Sequence, residues 1–341
     1  MPAGFGKRSG ETEQPKGCHR APDRLHRPDP AKVVSFVQEH KTTFGVEPLL
    51  AVLGEPVSTY YDRAAREPSA RARSDAALLE RVEAVWERSR RTYGSPRVHA
   101  MLVRQGTEVG VNRVARLMAQ AGIEGAHLRK HWKTTRQDPR QGAAPDLVKR
   151  DFTAGAPNRL WVADFTYILT MQGVLYLATV LDVFSRKIVG WQMSDRMTTD
   201  LVLSAFEMSL WRRDIARDRL VHHSDKGSQY TSLRFSQRLV DVGVSASTGS
   251  VGDSFDNAMA ESLFSTIKRE LIYRQRWATR HDAELAIFSY IEGFYNSERI
   301  QEALGMLSPD EYEAAWHTRA ERQLPDQQQP RHDILVMAGT K

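Results

Sequence analysis

The fold is set by residues 159–194, which read RLWVADFTYILTMQGVLYLATVLDVFSRKIVGWQMS. Residues 159–169, 174–182 and 185–194 are three runs rich in β-branched and aromatic side chains, joined by Gln172-Gly173 and by a turn near Ser185. Runs of this composition bounded by turn residues are typical of strands. We therefore expect three consecutive strands at the start of a sheet.

Helical periodicity begins after the third run, and shorter strand-like runs interrupt it. The expected elements are a helix over 199–212, a strand that ends before Asp225, a helix over 232–242, a strand over 242–247 and a helix over 256–272. This alternation of strands and helices predicts an α/β fold.

Three carboxylates fall inside or at the ends of these elements. Asp164 lies in the first strand run, Asp225 follows the apolar run Leu220-Val221-His222-His223, and Glu261 lies in the first turns of the last helix. Three carboxylates in one site would repel one another unless a cation compensates, and Mg²⁺ and Mn²⁺ prefer oxygen ligands of this kind. For each residue considered singly, a structural or solvated role is the alternative.

Polar side chains near these carboxylates are candidate phosphate contacts. Lys268 follows Glu261 by seven positions, so both lie on one polar stripe of the helix, two turns apart. A flexible ammonium group at that position can reach a phosphate. Lys226, Gln229 and Tyr230 follow the second carboxylate closely and are further candidates.

Several segments together resemble one known family. They are Trp161-Val162-Ala163-Asp164-Phe165-Thr166-Tyr167, Leu175-Tyr176-Leu177-Ala178, Leu181-Asp182-Val183-Phe184-Ser185-Arg186, Val189-Gly190-Trp191, His222-His223-Ser224-Asp225-Lys226-Gly227-Ser228-Gln229-Tyr230, Asp256-Asn257-Ala258 with Glu261-Ser262, and Phe294-Tyr295-Asn296. In addition, 35 residues separate Asp225 from Glu261. The chain from about residue 35 to residue 315 resembles the second-frame, catalytic product of insertion-sequence transposases in the DDE integrase superfamily, a group related to retroviral integrases.

The resemblance implies a ribonuclease-H-like core, in which helices flank a mixed sheet whose first three strands are antiparallel. It implies that Asp164 and Asp225 hold one Mg²⁺ or Mn²⁺ ion and that Asp164 and Glu261 hold a second, for DNA strand cleavage and attack by the freed 3′ hydroxyl. It also implies three partners: DNA, a first-frame protein or fusion to it, and further copies of the chain on DNA. A non-catalytic DNA-binding regulator of transposition and a plain ribonuclease H are the alternatives.

One motif departs from the family pattern. Tyr295-Asn296 leads to Arg299 as in the family, but Ile300-Gln301 follows where the family carries a basic residue and a histidine. If this segment holds DNA or supports the site, we expect the departure to reduce activity.

Helical patterns precede the core. Apolar residues at helical spacing, with Ser95-Pro96 as N-cap and first position, predict a helix-turn-helix-like domain over 74–128. Arg113 and Arg116 face outward in this pattern and are candidate DNA contacts. A purely structural three-helix bundle is the alternative. A further helical pair is expected over 31–63.

Charge differs between the two halves of the chain. Residues 1–150 hold 27 Lys and Arg against 17 Asp and Glu, whereas residues 151–341 hold 21 against 25. The amino-terminal half is therefore the better general contact for DNA phosphates. Lys130 and Lys133 are candidate contacts in a basic linker over 129–155, for which a solvated linker is the alternative.

The remaining segments of the chain and its composition complete the predicted organisation. Residues 1–30 are expected to form a disordered leader, 156–315 the catalytic core and 316–341 a C-terminal tail. Cys18 is the only cysteine, which excludes an internal disulfide and any zinc site that needs two thiolates. The sequence has no run of 18 apolar residues. We expect a cytoplasmic, nucleoid-associated protein without a membrane partner.

Three other polar residues have competing interpretations. Asp182 can ligate a metal ion or shape the turn before Phe184-Ser185, and the turn is favoured. His222 and His223 resemble a metal-binding pair, but adjacent strand residues point to opposite faces. Both imidazoles therefore cannot easily hold one ion.

Overall fold

A computed structural model describes residues 30–127, 153–225, 229–248 and 258–323. The chain divides into two compact units, Met1–Ser74 and Asp75–Lys341. Several predicted features lie outside the described residues: the leader up to residue 29, Lys130, Lys133 and the linker up to residue 152, Lys226, Asp256 of the family-like motif, and the tail from residue 324.

The first unit is a small helical cluster. Its helices α1, α2 and α3 span Pro30–Phe44, Val46–Leu53 and Val57–Ala65. Leu50 and Tyr60 are buried in its core. The prediction of a helical pair over 31–63 was wrong, because the backbone breaks twice. Gly45 adopts a φ of 76°, which favours glycine, and Pro56 caps α3 in an extended conformation.

Three helices follow. They are α4 (Ala70–Arg88), α5 (Ser95–Arg104) and α6 (Val111–Gln120). The start of α5 differs by one residue from the prediction, because Gly94 is the N-cap and Ser95 is the first helical residue. Pro96 still lies in the first turn, where its missing N–H costs no hydrogen bond. Val98, Leu102 and Val114 are fully buried, so the facing sides of α5 and α6 are apolar.

The described residues of the second unit form a five-stranded mixed sheet in the order β3-β2-β1-β4-β5. The strands are β1 (Leu160–Thr170), β2 (Gly173–Asp182), β3 (Ile188–Ser194), β4 (Val221–Ser224) and β5 (Ser245–Thr248). β1 pairs with β2 and β2 with β3 in antiparallel fashion, whereas β4 runs parallel to both β1 and β5. This confirms the predicted α/β fold with three antiparallel strands first.

Helices cover both faces of the sheet. The remaining helices are α7 (Thr199–Arg212), α8 (Leu233–Asp241), α9 (Ala258–Glu270), α10 (Arg280–Tyr290) and α11 (Pro309–Gln323). On one face Trp161 of β1 packs with Phe206 of α7 and Phe235 of α8. On the other face Ile168 of β1 packs in one cluster with Ile267 of α9. Side chains alternate between faces along a strand, which explains why both sides of β1 are buried.

The helices α5 and α6 share the core of the second face. Val98 and Leu102 of α5 belong to the same hydrophobic cluster as Ile267 of α9 and Tyr290 of α10. Tyr93, just before α5, accepts a hydrogen bond from Ile300 N at 2.9 Å. These helices are therefore fixed relative to the sheet. In the described part of the chain, no helix combines the length and apolar character needed to cross a bilayer.

Candidate active site

Strand register places two of the predicted carboxylates side by side. In the parallel pairing of β1 with β4, Ala163 lies opposite Ser224. Asp164 directly follows Ala163, and Asp225 directly follows Ser224. Neighbouring strands of a sheet lie about 4.8 Å apart. Both aspartates are half-buried, and Asp164 Oδ1 accepts a hydrogen bond from Phe165 N at 2.8 Å. The structure thus brings together the first two residues of the predicted site.

Tyr230 lies against both aspartates. Its side chain is 5% exposed, and its hydroxyl has no hydrogen-bond partner among the described residues. Burial, followed by the negative charges of Asp164 and Asp225, raises the pKa of the phenol well above its ordinary value. The phenol is therefore neutral, and it is a buried polar group whose hydrogen-bonding capacity is unused.

Lys268 lies near Asp164. It is half-buried, and its Nζ lies 5.4 Å from the ring centroid of Tyr167. Burial lowers the pKa of Lys268, and the charge of Asp164 opposes that shift. An ammonium group between an aromatic face and a carboxylate can hold a phosphate of a strand that enters the site.

Glu261 lies in the first turn of α9 and is exposed. α9 packs along β1, because Ala260 shares a small cluster with Val162 and Lys268 reaches Tyr167. The helix therefore passes along the part of β1 that carries Asp164. Within the described ranges, no group of three or more His, Cys, Asp and Glu side chains has the arrangement of a metal site. A site that joins Glu261 to the two aspartates stays a prediction.

The two histidines before Asp225 have separate, structural surroundings. His222 packs against Phe206 and Phe235, with ring centroids 5.3 Å apart in each case. Burial, reinforced by the neighbouring His223, lowers the pKa of His222 to about 3. The Nδ1 of His223 lies 2.9 Å from Ser247 Oγ on β5. These contacts agree with the expectation that the two imidazoles do not share an ion.

Asp182 shapes a turn. It is fully buried, and its Oδ2 accepts hydrogen bonds from Asn158 N at 2.7 Å and Trp161 Nε1 at 3.3 Å. Its Oδ1 accepts one from Phe184 N at 2.9 Å, and Arg213 forms an ion pair with it. Because both carboxylate oxygens accept hydrogen bonds, the structure favours a turn-forming role for Asp182 over a role as a metal ligand.

The remaining DNA-contact candidates have mixed surroundings. Gln229 and Tyr230 are only 8% and 5% exposed, and their contact with DNA stays a prediction. Arg113 and Arg116 both form ion pairs with Asp75 at 2.7 Å. About a third of each guanidinium side chain is exposed, which leaves room for a phosphate, and their contact with DNA stays a prediction.

Sequence reasoning missed a buried ionic cluster at the end of α9. Glu270, the last residue of α9, receives hydrogen bonds from Arg299 and Tyr290. Arg97 of α5 adds a partly exposed ion pair at 3.4 Å. The only signal in the sequence was Arg299 within the motif after Asn296, because its partner lies 29 positions away. Ile300, where the motif departs from the family, is fully buried.

Family models match most of the described chain. A model described as Integrase core domain matches residues 154–254, and another with the same description matches residues 261–315. A model described as HTH-like domain matches residues 73–131. The first two ranges contain the three predicted carboxylates.

Curated proteins similar to this chain are transposases of insertion sequences. The transposase for insertion sequence element IS629 of Shigella sonnei is 44% identical over 290 residues, which cover 84% of this chain and 97% of that protein. The putative transposase for insertion sequence element IS986/IS6110 of Mycobacterium tuberculosis (strain ATCC 25618 / H37Rv) is 42% identical over 270 residues, with 78% and 97% covered. Transposase InsF for insertion sequence IS3A of Escherichia coli (strain K12) is 33% identical over 284 residues, with 82% and 97% covered.

Two solved structures are distantly similar. The catalytic core domain of HTLV-2 integrase in complex with magnesium superposes with a TM-score of 0.37 and 16% identity, covering 47% of this chain and 99% of that chain. The catalytic core domain of BIV integrase gives a TM-score of 0.36 and 21% identity, covering 48% and 99%.

Proposed function

Because the chain belongs to the insertion-sequence transposases with an integrase core domain, we propose that it cuts a DNA strand at the end of its element and transfers the freed 3′ hydroxyl to a second phosphodiester. The enzyme is a polynucleotidyl transferase. The observation that carries the proposal is the register of β1 and β4, which sets Asp164 beside Asp225.

The donor groups at the site suit a hard divalent cation. Asp164 and Asp225 offer carboxylate oxygens, and the Tyr230 hydroxyl, which has no hydrogen-bond partner among the described residues, lies within electrostatic reach of both. Asp164 and Asp225 would hold one Mg²⁺ or Mn²⁺ ion, and Asp164 and Glu261 a second. When bound, such a pair supplies Lewis acidity to the attacking and leaving oxygens of an in-line displacement.

Basic side chains of the protein would position the DNA and help to keep the carboxylates of the site ionised. Close carboxylates raise each other's pKa unless positive charge compensates. Lys268 offers part of that charge, and we assign to it the phosphate next to the scissile bond. Arg113 and Arg116 are proposed to contact DNA farther from the site. No side chain forms a covalent intermediate, because the attacking oxygens come from water and from DNA.

Several partners belong to the same proposal. DNA is the substrate, both at the element's ends and at the target. A first-frame protein, or fusion to it, would supply recognition of the ends, and several copies of the chain would assemble on DNA. The reaction takes place on chromosomal DNA in the cytoplasm.

A strand-transfer assay tests the catalytic proposal. Labelled duplex with the terminal sequence of the element is incubated with Mn²⁺ and target DNA. We expect Asp225→Asn and Glu261→Gln each to lower product by more than about 100-fold, because even changes around the ligands of metal sites cost 10- to 100-fold. Glu321→Gln, an exposed carboxylate on α11, serves as the matched control. Equal product from the parent chain and Asp225→Asn would contradict catalysis through Asp225, and a parent chain that binds the duplex but gives no product would favour a non-catalytic DNA-binding regulator.

A further inference from the structure

A groove of about 930 Å³ opens beside Lys268. Its lining comes from the outer end of β1, from residues 272–277 after α9, and from residues 124–127 after α6. Trp277 lines it and is buried, with its Nε1 donating to Ile272 O at 3.2 Å. Met171 N donates to Trp277 O at 2.9 Å. The second bond joins two of these three segments, and the first holds Trp277 in place within its own segment.

Positive charge dominates the lining. The lining contains five cationic side chains and one carboxylate, that of Glu124. The cationic residues are Arg91, Lys268, Arg269, Arg274 and Arg276. Arg91 is paired with Glu87, and Arg274 donates to backbone oxygens at Arg90 and Arg91. Arg276 is exposed. A groove with this balance attracts a polyanion.

Aromatic and apolar side chains stand exposed among these cations. Tyr167, Leu169 and Met171 are 58%, 69% and 81% exposed. Tyr167 and Leu169 occupy alternate positions near the end of β1 and so share one face of the strand, and Met171 lies in the turn that follows. Tyr273 on the opposite wall is 64% exposed. Backbone phosphates of a paired duplex need only cations, whereas unpaired bases need flat surfaces on which to stack.

We propose that this groove binds unpaired nucleotides of the DNA strand next to the cleavage site, with Tyr167 and Tyr273 as stacking surfaces and Lys268 and Arg276 on the phosphates. The inference rests on the proposed function, because it takes DNA as the substrate. Lys268 connects the two sites, since its Nζ lies over the Tyr167 ring and the same group interacts with Asp164.

A binding comparison tests the stacking surfaces. The full chain is titrated, without divalent metal, into a labelled short duplex that is either blunt or extended by a few unpaired nucleotides at one 3′ end. We expect the parent chain to prefer the extended duplex by about tenfold, since stacking of one base contributes roughly 1–3 kcal/mol. Tyr273→Ala removes that preference, and Tyr273→Trp retains it. Trp211→Ala is the matched control, because Trp211 is 87% exposed on α7 and does not line the groove.

The phosphate contacts have their own readout. Arg276→Gln should weaken binding of the extended duplex and lower the slope of log affinity against log salt by about one. Arg322→Gln, on the last turn of α11, should change neither the affinity nor the slope.

A 2-aminopurine base in the unpaired tail reports stacking directly, because a stacked base is quenched. Tyr273→Ala should abolish that quenching.

Two results would overturn the inference: equal affinity of the parent chain for blunt and extended duplexes, or an unchanged preference in Tyr273→Ala. Strand transfer measured on the same preparations separates this failure from that of the proposed function. If transfer proceeds while the preference is absent, the groove proposal fails alone. If the preference is present while transfer is absent, the groove binds unpaired DNA and the catalytic proposal fails.

Discussion

Arg299 and Glu270 form a buried ion pair with two parallel hydrogen bonds. Arg299 Nε and Nη2 donate to Glu270 Oε2 and Oε1 at 2.8 Å each, and the side chains are 4% and 1% exposed. The Tyr290 hydroxyl donates to Oε2 at 2.7 Å. Glu270 ends the helix that carries Glu261 and Lys268, so this pair anchors the end of α9 that lies nearest Lys268.

Breaking this pair should strongly destabilise the fold. Arg299→Met leaves the Glu270 carboxylate buried without its main partner, and removing one member of a buried pair typically costs about 3–5 kcal/mol. Denaturant unfolding measures the change. Arg234→Met is the matched control, because Arg234 and its partner Asp200 are each 68% exposed. It should cost less than about 1 kcal/mol. Similar losses of unfolding free energy in Arg299→Met and Arg234→Met would contradict a stabilising role for the buried pair.

His222 should make the fold sensitive to mild acid. Burial lowers its pKa from an ordinary value of 6.5 to about 3, so the folded state keeps the imidazole neutral while the unfolded chain takes up a proton. The contribution to stability is complete above pH 6.5 and is lost as the pH falls toward 3, by up to about 1.4 kcal/mol per pH unit. His222→Leu should flatten this decline.

Unfolding curves at several pH values in that window test the effect. His281→Leu is the control, because His281 is 75% exposed and should leave the pH dependence as in the parent chain. An acid decline that is equally steep in the parent chain and in His222→Leu would show that other groups cause it.

The hydroxyl of Tyr93 should matter for joining the helical region to the core. It accepts from Ile300 N at 2.9 Å and donates to Glu298 O at 3.3 Å. Tyr93→Phe leaves a buried backbone N–H without this partner, which costs about 1–3 kcal/mol. Tyr273→Phe, at an exposed tyrosine, should leave the free energy of unfolding unchanged. No loss in Tyr93→Phe would indicate that Ile300 N finds another acceptor.

Arg113 and Arg116 provide a test of DNA contact against a structural role. If each neutralises one phosphate, Arg→Gln at either position should lower the slope of log affinity against log salt by about one. Filter binding or anisotropy across a salt series gives that slope. If both arginines act only as partners of Asp75, the variants will lose stability and keep the parent's slope.

The sequence was sufficient to locate the strands of the sheet. The composition of the apolar runs placed β1 and β4 along the chain and Asp164 and Asp225 within or just after them, whereas the pairing of the two strands was not predicted. The helix over 199–212 was predicted with the same bounds as α7. These features depend on local periodicity, which a single chain displays directly.

Long-range pairing could not be predicted in the same way. The partner of Glu270 is 29 residues away, and nothing local to Arg299 indicates that it is buried rather than bound to DNA. Tyr230 follows a polar segment, yet the packing of Phe235 and His222 around its ring buries it. Asp75 lies 38 positions before Arg113, so the outward face predicted for α6 could not reveal the ion pair.

The central claim is that Asp164, Asp225 and Glu261 together form one two-ion site on DNA. Anomalous diffraction from Mn²⁺ in crystals of the protein with element-end DNA tests it most directly. We predict two manganese peaks about 4 Å apart, with oxygens of Asp164 and Asp225 on one and of Asp164 and Glu261 on the other. Peaks remote from these side chains, or a Glu261 carboxylate that stays out of reach of both ions, would contradict the account.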